Sequence, residues 1–387
     1  FRAFLEFCYL VRKSVITESD LDLINDALDR FHHYREVFKT TGVVFTFSLP
    51  RQHSLKHYHD LIKLFGAPNG LCSSITESKH IKAVKKPYRR TSHFKALGQM
   101  LIINQRLDKL ASARTDFSAR GMLSSAAGCD TEDHVAEKSA SHIDDPEDSG
   151  EVAGPRVEAH VLLARTPQRK RAKHIPALAH ELSIPSLAHL VRAFLFIQLH
   201  PNDPRHPSEV PLLECPFYEG KISIFSSASS TFYAPSDLCG TGGMRREYIR
   251  ATLNWRNEGP RNDCAFIITD PDQDGMRGMD VARIHCFFSF TFRQTVYRCA
   301  LVRWFDRHGD CANEDTGMWV VKPSFMTSHQ PNLAVIHIDT IFRAAHLIPV
   351  YGTSDIPRGI HPNVSYDIFR SFYVNRFADH HAFEIAF

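Results

Sequence analysis

Between residues 264 and 338 the chain reads as five short β-rich runs, at 264–269, 282–292, 296–305, 318–321 and 333–338, with Gly, Asp and Pro between them. Strands this short cannot stand alone, because each leaves backbone donors and acceptors that only a neighbouring strand can satisfy. Five of them close together predict a small β-barrel-like domain over residues 263–352, of a size common among binding modules. Arg293-Gln294-Thr295 joins the second and third runs as a hairpin. The acids of Asp270-Pro-Asp-Gln-Asp274 look like the opening of a calcium loop, but flanking helices and a closing Glu are missing, so they read as turn residues.

Ahead of the strands the periodicity is helical. In the first forty residues Phe4, Phe7, Cys8, Leu10 and Val11 recur at helical spacing, and Thr17 with Asp20 opens a second helix whose apolar face is Leu21, Leu23, Ile24, Leu28 and Phe31. A helix from Arg51 ends at Gly66, a glycine suited to a C-cap. Its His53, His57 and His59 have no carboxylate or cysteine at metal-site spacing, which favours a structural or DNA-facing role. A further helix is expected over 184–199, residues 217–262 read as irregular apart from a helix at 244–252, and the tail 353–387 carries a helix with Phe369, Phe372, Tyr373 and Phe377 on one side. The chain opens on Phe1 directly in a helical pattern, which reads as a fragment without its N-terminal part.

Hydrophobic residues make up 43% and aromatic ones 11%, which is enough to build cores and excludes a wholly disordered chain. No apolar run reaches the ~18 residues that a membrane-spanning helix needs. Nine cysteines stand singly, as suits reduced thiols. The net charge of +3 says little, but its placement is uneven. Acids dominate 130–151, within a stretch, 117–175, that reads as a disordered linker by composition. The basic cluster 168–173 fits a nuclear-import signal and with it a nuclear location.

The opposite imbalance lies upstream. From Ser78 to Arg114 ten cations face one acid, Asp108. Lys79, Lys82, Lys85, Lys86, Arg89, Arg90 and Lys95 form its densest part, a candidate footprint for a phosphate backbone, whereas the plain alternative is a solvated basic helix face. Glu77 stands immediately before this run. In Ser74-Ile-Thr-Glu77 it fits a capping box, so its plain role is to close the start of a helix.

Three long runs then carry a resemblance: 47–58 (Phe-Ser-Leu-Pro-Arg-Gln-His-Ser-Leu-Lys-His-Tyr), 64–85 around Thr76-Glu77-Ser78-Lys79, and 97–110. Together with Gly275-Met-Arg-Gly-Met-Asp280, Asp315-Thr-Gly-Met-Trp-Val-Val321 and residues 338–351, they resemble the C-terminal part of Plavaka-type transposases, fungal relatives of the CACTA group. The resemblance implies an α+β multidomain protein: residues 1–116 as the helical end of an RNase H-like core, the acidic linker, a helix with an irregular connection over 176–262, the β domain and a helical tail. It implies DNA as the partner, no membrane and no small-molecule cofactor, with room for a homo-oligomer in the intact enzyme. Strand cleavage there uses three acids that hold two divalent cations, Mg²⁺ or Mn²⁺, which favour hard oxygen ligands.

Glu77 occupies the place of the third acid, and so is the expected catalytic and metal-binding residue. The two upstream aspartates have no counterpart, since Asp20, Asp22, Asp26, Asp29 and Asp60 all read as helix surface. This chain alone is therefore not expected to cut DNA or to bind a cation tightly. The alternatives are a non-enzymatic DNA- or chromatin-binding protein, in which Glu77 only caps a helix, and a transposon relic without function.

Overall fold

The computed structural model describes residues 1–71, 80–120, 122, 150–152, 156–201, 203, 205, 209–237, 242–353, 355–356, 359–361 and 364–387. The described chain is mixed helix and sheet and divides into two compact units: Leu71–Asp148, and Phe1–Gly70 together with Ser149–Phe387. The boundary at Gly70 falls inside the stretch 1–116, so the first helices belong with the β domain. Most of the acidic linker, 123–149, lies outside the described residues.

Among the described residues the larger unit holds fourteen strands. They are β1 (Gly150–Glu151), β2 (Ala159–Leu163), β3 (Ile222–Phe225), β4 (Ser227–Tyr233), β5 (Met244–Thr252), β6 (Arg261–Asn262) and β7 (Cys264–Ile268), then β8 (Met279–Phe292), β9 (Thr295–Arg307), β10 (Val320–Pro323), β11 (Leu333–His337), β12 (Ile341–Ala345), β13 (Leu347–Pro349) and β14 (Phe372–Val374). The five expected runs are β7 to β11, and a two-residue turn, Arg293-Gln294 with both φ positive, joins β8 to β9.

Two corners bend these strands into a nearly closed, barrel-like sheet. β3 pairs with β8 and then passes through Ser226 into β4, which pairs with β5. β5 pairs with β6, which continues through Asp263 into β7, and β7 returns to β8. The circuit is narrow because many inward residues are small: Ala228, Ala251, Ala265, Ala282 and Ala300 surround Ile249, Ile267, Ile284 and Phe287. A β-bulge between Ile284 and Cys286 shifts the parity of β8, so Ala282 and Ile284 point inward before it and Phe287 after it. Beyond the bulge Cys286, Phe288 and Phe290 instead meet the helices Ile175–Leu182 and Leu187–Leu199.

Several sequence expectations fail here. Residues 244–252 form β5 and not a helix, and β3 and β4 also lie in the stretch read as irregular. β2 lies in the stretch read as linker. The tail is not one helix: Ser365–Ile368 is a single turn, Phe372–Val374 is a strand between β10 and β13, and only His380–Ile385 is helical near the end. The helix from Arg51 is broken into Pro50–Ser54, a tight turn Leu55–His57 and Tyr58–Phe65, with Gly66 at φ 87° ending it.

The helices Arg2–Leu10 and Glu18–Thr40 pack through Phe7, Leu10, Leu21, Ile24 and Leu28, and Phe383 of the tail completes that cluster. The Thr17 cap is a full capping box with Asp20. Asp20 is therefore not surface: it is buried, bonded to Lys13 at 2.7 Å and to Thr17, and these partners outweigh its desolvation to hold its carboxyl below the usual range. Asp22, Asp26, Asp29 and Asp60 are exposed as expected.

Candidate nucleic-acid interface

The smaller unit presents the basic run on two helices and the loop between them. Ile81–Lys85 is a wide helical turn that leads directly into the helix Lys86–Arg89, and Ala96–Ala119 follows after a short loop. Pro87 explains the widening. A proline has no N–H, so the carbonyl of Ala83 loses the donor it would have four residues on in a regular helix. The Asn104 side chain supplies the missing donor, with Nδ2 at 2.8 Å from Ala83 O, and so ties the turn to the longer helix. Pro87 itself is buried beneath the turn.

The loop 91–95 is pinned in the same way. Gln99 accepts from the Ser92 amide at 3.0 Å and donates to the Phe94 carbonyl at 2.7 Å. His93 and Lys95 take positive φ values of 63° and 46°, which turns the chain sharply, and the His93 ring stacks on Tyr88 at 4.8 Å. On this frame Lys85, Lys86, Arg89, Arg90 and Lys95 are all exposed. No carboxylate of the described residues pairs with Lys85, Lys86, Arg90 or Lys95, and Lys95 Nζ rests over the Phe94 ring at 5.6 Å. Glu77 and Lys79 lie outside the described residues, and of Lys82 only its place in the Ile81–Lys85 turn is described.

Among the described residues no group of three or more His, Cys, Asp or Glu side chains is placed to hold a metal ion. Glu77, the residue expected to hold a cation, is not among them. His53 and His57 meet ring to ring at 5.2 Å, and His59 Nδ1 lies 2.9 Å from Asp60. In the basic cluster 168–173, Arg169 and Lys170 are exposed, whereas Arg171 is bonded to Gln168 at 2.6 Å and ion-paired with Glu181. Among the described residues no helix is long and apolar enough to cross a membrane.

A second concentration of arginine, in the larger unit, escaped the sequence reading. Arg283 on β8 and Arg303 on β9 sit in mostly apolar runs, which was the one signal available: a charge where alternation calls for an outward residue. Arg283 lines a cleft of about 500 Å³ whose walls include Trp255, Pro260, Asp263 and Tyr366. No protein-family model, no curated protein and no solved structure matches this chain.

Proposed function

We propose that the chain is the C-terminal portion of a DNA transposase of the CACTA-like kind, whose basic helical unit grips the phosphate backbone. The observation that carries this reading is the exposed row Lys85, Lys86, Arg90 and Lys95 on a frame held by Asn104 and Gln99, without carboxylates to neutralise it among the described residues. Exposed cations held at set spacing exchange condensed counterions for phosphate oxygens, and this needs no base-specific geometry. In the same reading residues 1–116 end an RNase H-like core, and Glu77 is one of three acids for Mg²⁺ or Mn²⁺ in the intact, nuclear enzyme.

The test is the salt dependence of duplex binding, followed by fluorescence anisotropy. Each phosphate that the protein no longer neutralises lowers the slope of log K against log salt by about 0.9. The quadruple variant K85Q/K86Q/R90Q/K95Q is expected to lower it by roughly three to four. An unchanged slope overturns the footprint.

The same row serves a non-enzymatic DNA- or chromatin-binding protein equally well. Glu77→Gln in a longer parent chain separates the two. Retained Mg²⁺-dependent strand cleavage removes the catalytic role from Glu77.

A further inference from the structure

The cleft of the β domain lies at the corner where β6 passes through Asp263 into β7. Its floor is Arg283, only 7% exposed, whose Nη1 donates to Asp367 at 2.8 Å while its Nε is buried without a hydrogen-bond partner. Arg283 faces Cys264 across β7 on one side and Arg303 across β9 on the other. Like charges directly opposite in a sheet repel, and among the described residues a single carboxylate is ion-paired with both: Asp367 lies 2.8 Å from Arg283 and 3.9 Å from Arg303. Asp367 is half exposed, so water screens its charge from the pair beneath it.

The walls differ in character from the floor. Trp255 stands in the loop between β5 and β6, shaped by the positive φ values of Arg256, Asn257 and Gly259. The guanidinium of Arg250 lies 4.4 Å from its ring centre, that of Arg261 5.0 Å and that of Arg256 5.4 Å. Tyr366 lies opposite, with Arg283 5.1 Å from its ring centre. Among these side chains Asp263 is taken up by Arg261, at 2.8 Å. The cleft thus combines a buried cation, Arg283, with aromatic walls, while Arg261 and the acids Asp263 and Glu258 also line it.

We propose that this cleft binds one unpaired nucleotide of a nucleic-acid strand, its phosphate on the unpartnered edge of Arg283 and its base against Trp255 and Tyr366. Single-strand sites combine these two elements, a cationic track and an aromatic platform. A cleft of about 500 Å³ is of the size that encloses a small-molecule ligand, and it is too small for a duplex. Exposed Arg256, beside Trp255 and just outside the lining, stands where the next phosphate of a strand would pass. The inference rests on the nucleic-acid reading above but uses a different part of the chain.

The test keeps the two apart by working in the K85Q/K86Q/R90Q/K95Q background, where the basic unit contributes little. A fluorescein-labelled thymidine hexamer is titrated by anisotropy, with the same-length duplex, inorganic phosphate and a phosphoserine peptide as competitors. The hexamer is expected to bind, the duplex to compete poorly, and Trp255→Ala or Arg256→Gln at the rim to weaken binding about tenfold. Arg283→Gln should abolish binding, with circular dichroism checking its fold. Trp255→Phe, which keeps an aromatic wall, should retain most affinity. Affinity unchanged by Trp255→Ala overturns the cleft, and so does displacement by the phosphoserine peptide below the concentration of unlabelled hexamer needed. An unchanged duplex salt slope in the quadruple variant overturns the basic footprint instead.

Discussion

Arg283 and Arg303 lie directly opposite each other on β8 and β9 and share the carboxylate of Asp367. Removing that carboxylate leaves two neighbouring guanidiniums with no ion-paired carboxylate among the described residues. Asp367→Asn is expected to cost about 1 kcal/mol of stability, a modest figure because the carboxylate is half exposed to water. The same change makes the cleft more cationic, so sulfate should restore part of the stability where chloride does not. Urea unfolding in the two salts measures both effects, and equal stabilities in both salts would count against the shared-carboxylate account.

Acid should weaken the larger unit in a defined window. Burial, reinforced by Arg343, lowers His381 to about 4, and burial with Arg283 and Arg303 lowers His285 to about 4. His381 is stacked on Phe232 at 4.6 Å, its Nδ1 lies 3.1 Å from Arg343 Nη1, and Asp379 and Glu384 oppose the shift. Asp367 opposes it for His285.

Both folded values lie below the ordinary histidine value of 6.5. The stabilisation is therefore complete above pH ~6.5 and is lost as pH falls toward 4, by up to about 3 kcal/mol for each group. Asp379 stays ionised through this window, because Arg343 and the Ala382 amide outweigh its burial and hold its carboxyl at about 2. Denaturant titrations from pH 7 to 4 should show the slope, and His381→Gln should flatten it whatever it does to absolute stability. A slope identical to the wild type's would remove His381 from the account.

In the smaller unit the Asn104 to Ala83 bond replaces one that Pro87 forbids. Asn104→Ala should cost about 1 kcal/mol, since it leaves the carbonyl to water alone. Pro87→Ala restores a main-chain donor, so in that background Asn104→Ala should cost only a few tenths of a kcal/mol. Amide exchange of residues 83–90 in the four chains closes this cycle. Additive effects would mean that the asparagine acts elsewhere.

How far these features were legible depended on whether they are local. The runs of β7 to β11 carried their own signature of β-branched and aromatic residues with turn residues between, and the Arg293-Gln294 turn made one pairing local. β5 did not. Met244-Arg-Arg-Glu-Tyr-Ile-Arg-Ala-Thr252 has helix-compatible composition, and its pairing, mainly with Ser227–Tyr233, makes it a strand. The aromatic spacing in the tail fits a helix, yet Phe372 and Val374 are drawn into a ladder between strands that lie far off in sequence. Arg283 and Arg303 could not be paired from the sequence, because their register depends on both the hairpin turn and the bulge at residue 285. The basic row was legible because exposure of lysines needs no partner. Glu77 stays outside the described residues, so its reading still rests on the resemblance.

Gly278 sets the last prediction, in the run Gly275-Met-Arg-Gly-Met-Asp280 that leads into β8. A Cβ at residue 278 would stand 2.1 Å from the Gln273 carbonyl oxygen and 2.6 Å from that of Asp270, both backbone atoms without a flexible side chain to yield. Those carbonyls belong to the turn that Asp270 shapes, where Thr269 and Asp270 amides donate to Gly278 O at 3.0 and 3.1 Å. Gly278→Ala must push the turn away and stretch those bonds, at a cost of about 2 kcal/mol or more. Gly98→Ala, in the exposed helix Ala96–Ala119 with open space around it, should instead stabilise by about 0.5–1 kcal/mol, since alanine has less freedom to lose on folding. Thermal unfolding of the two variants should therefore move in opposite directions, and a Gly278→Ala chain as stable as the wild type would show that the turn is free to shift.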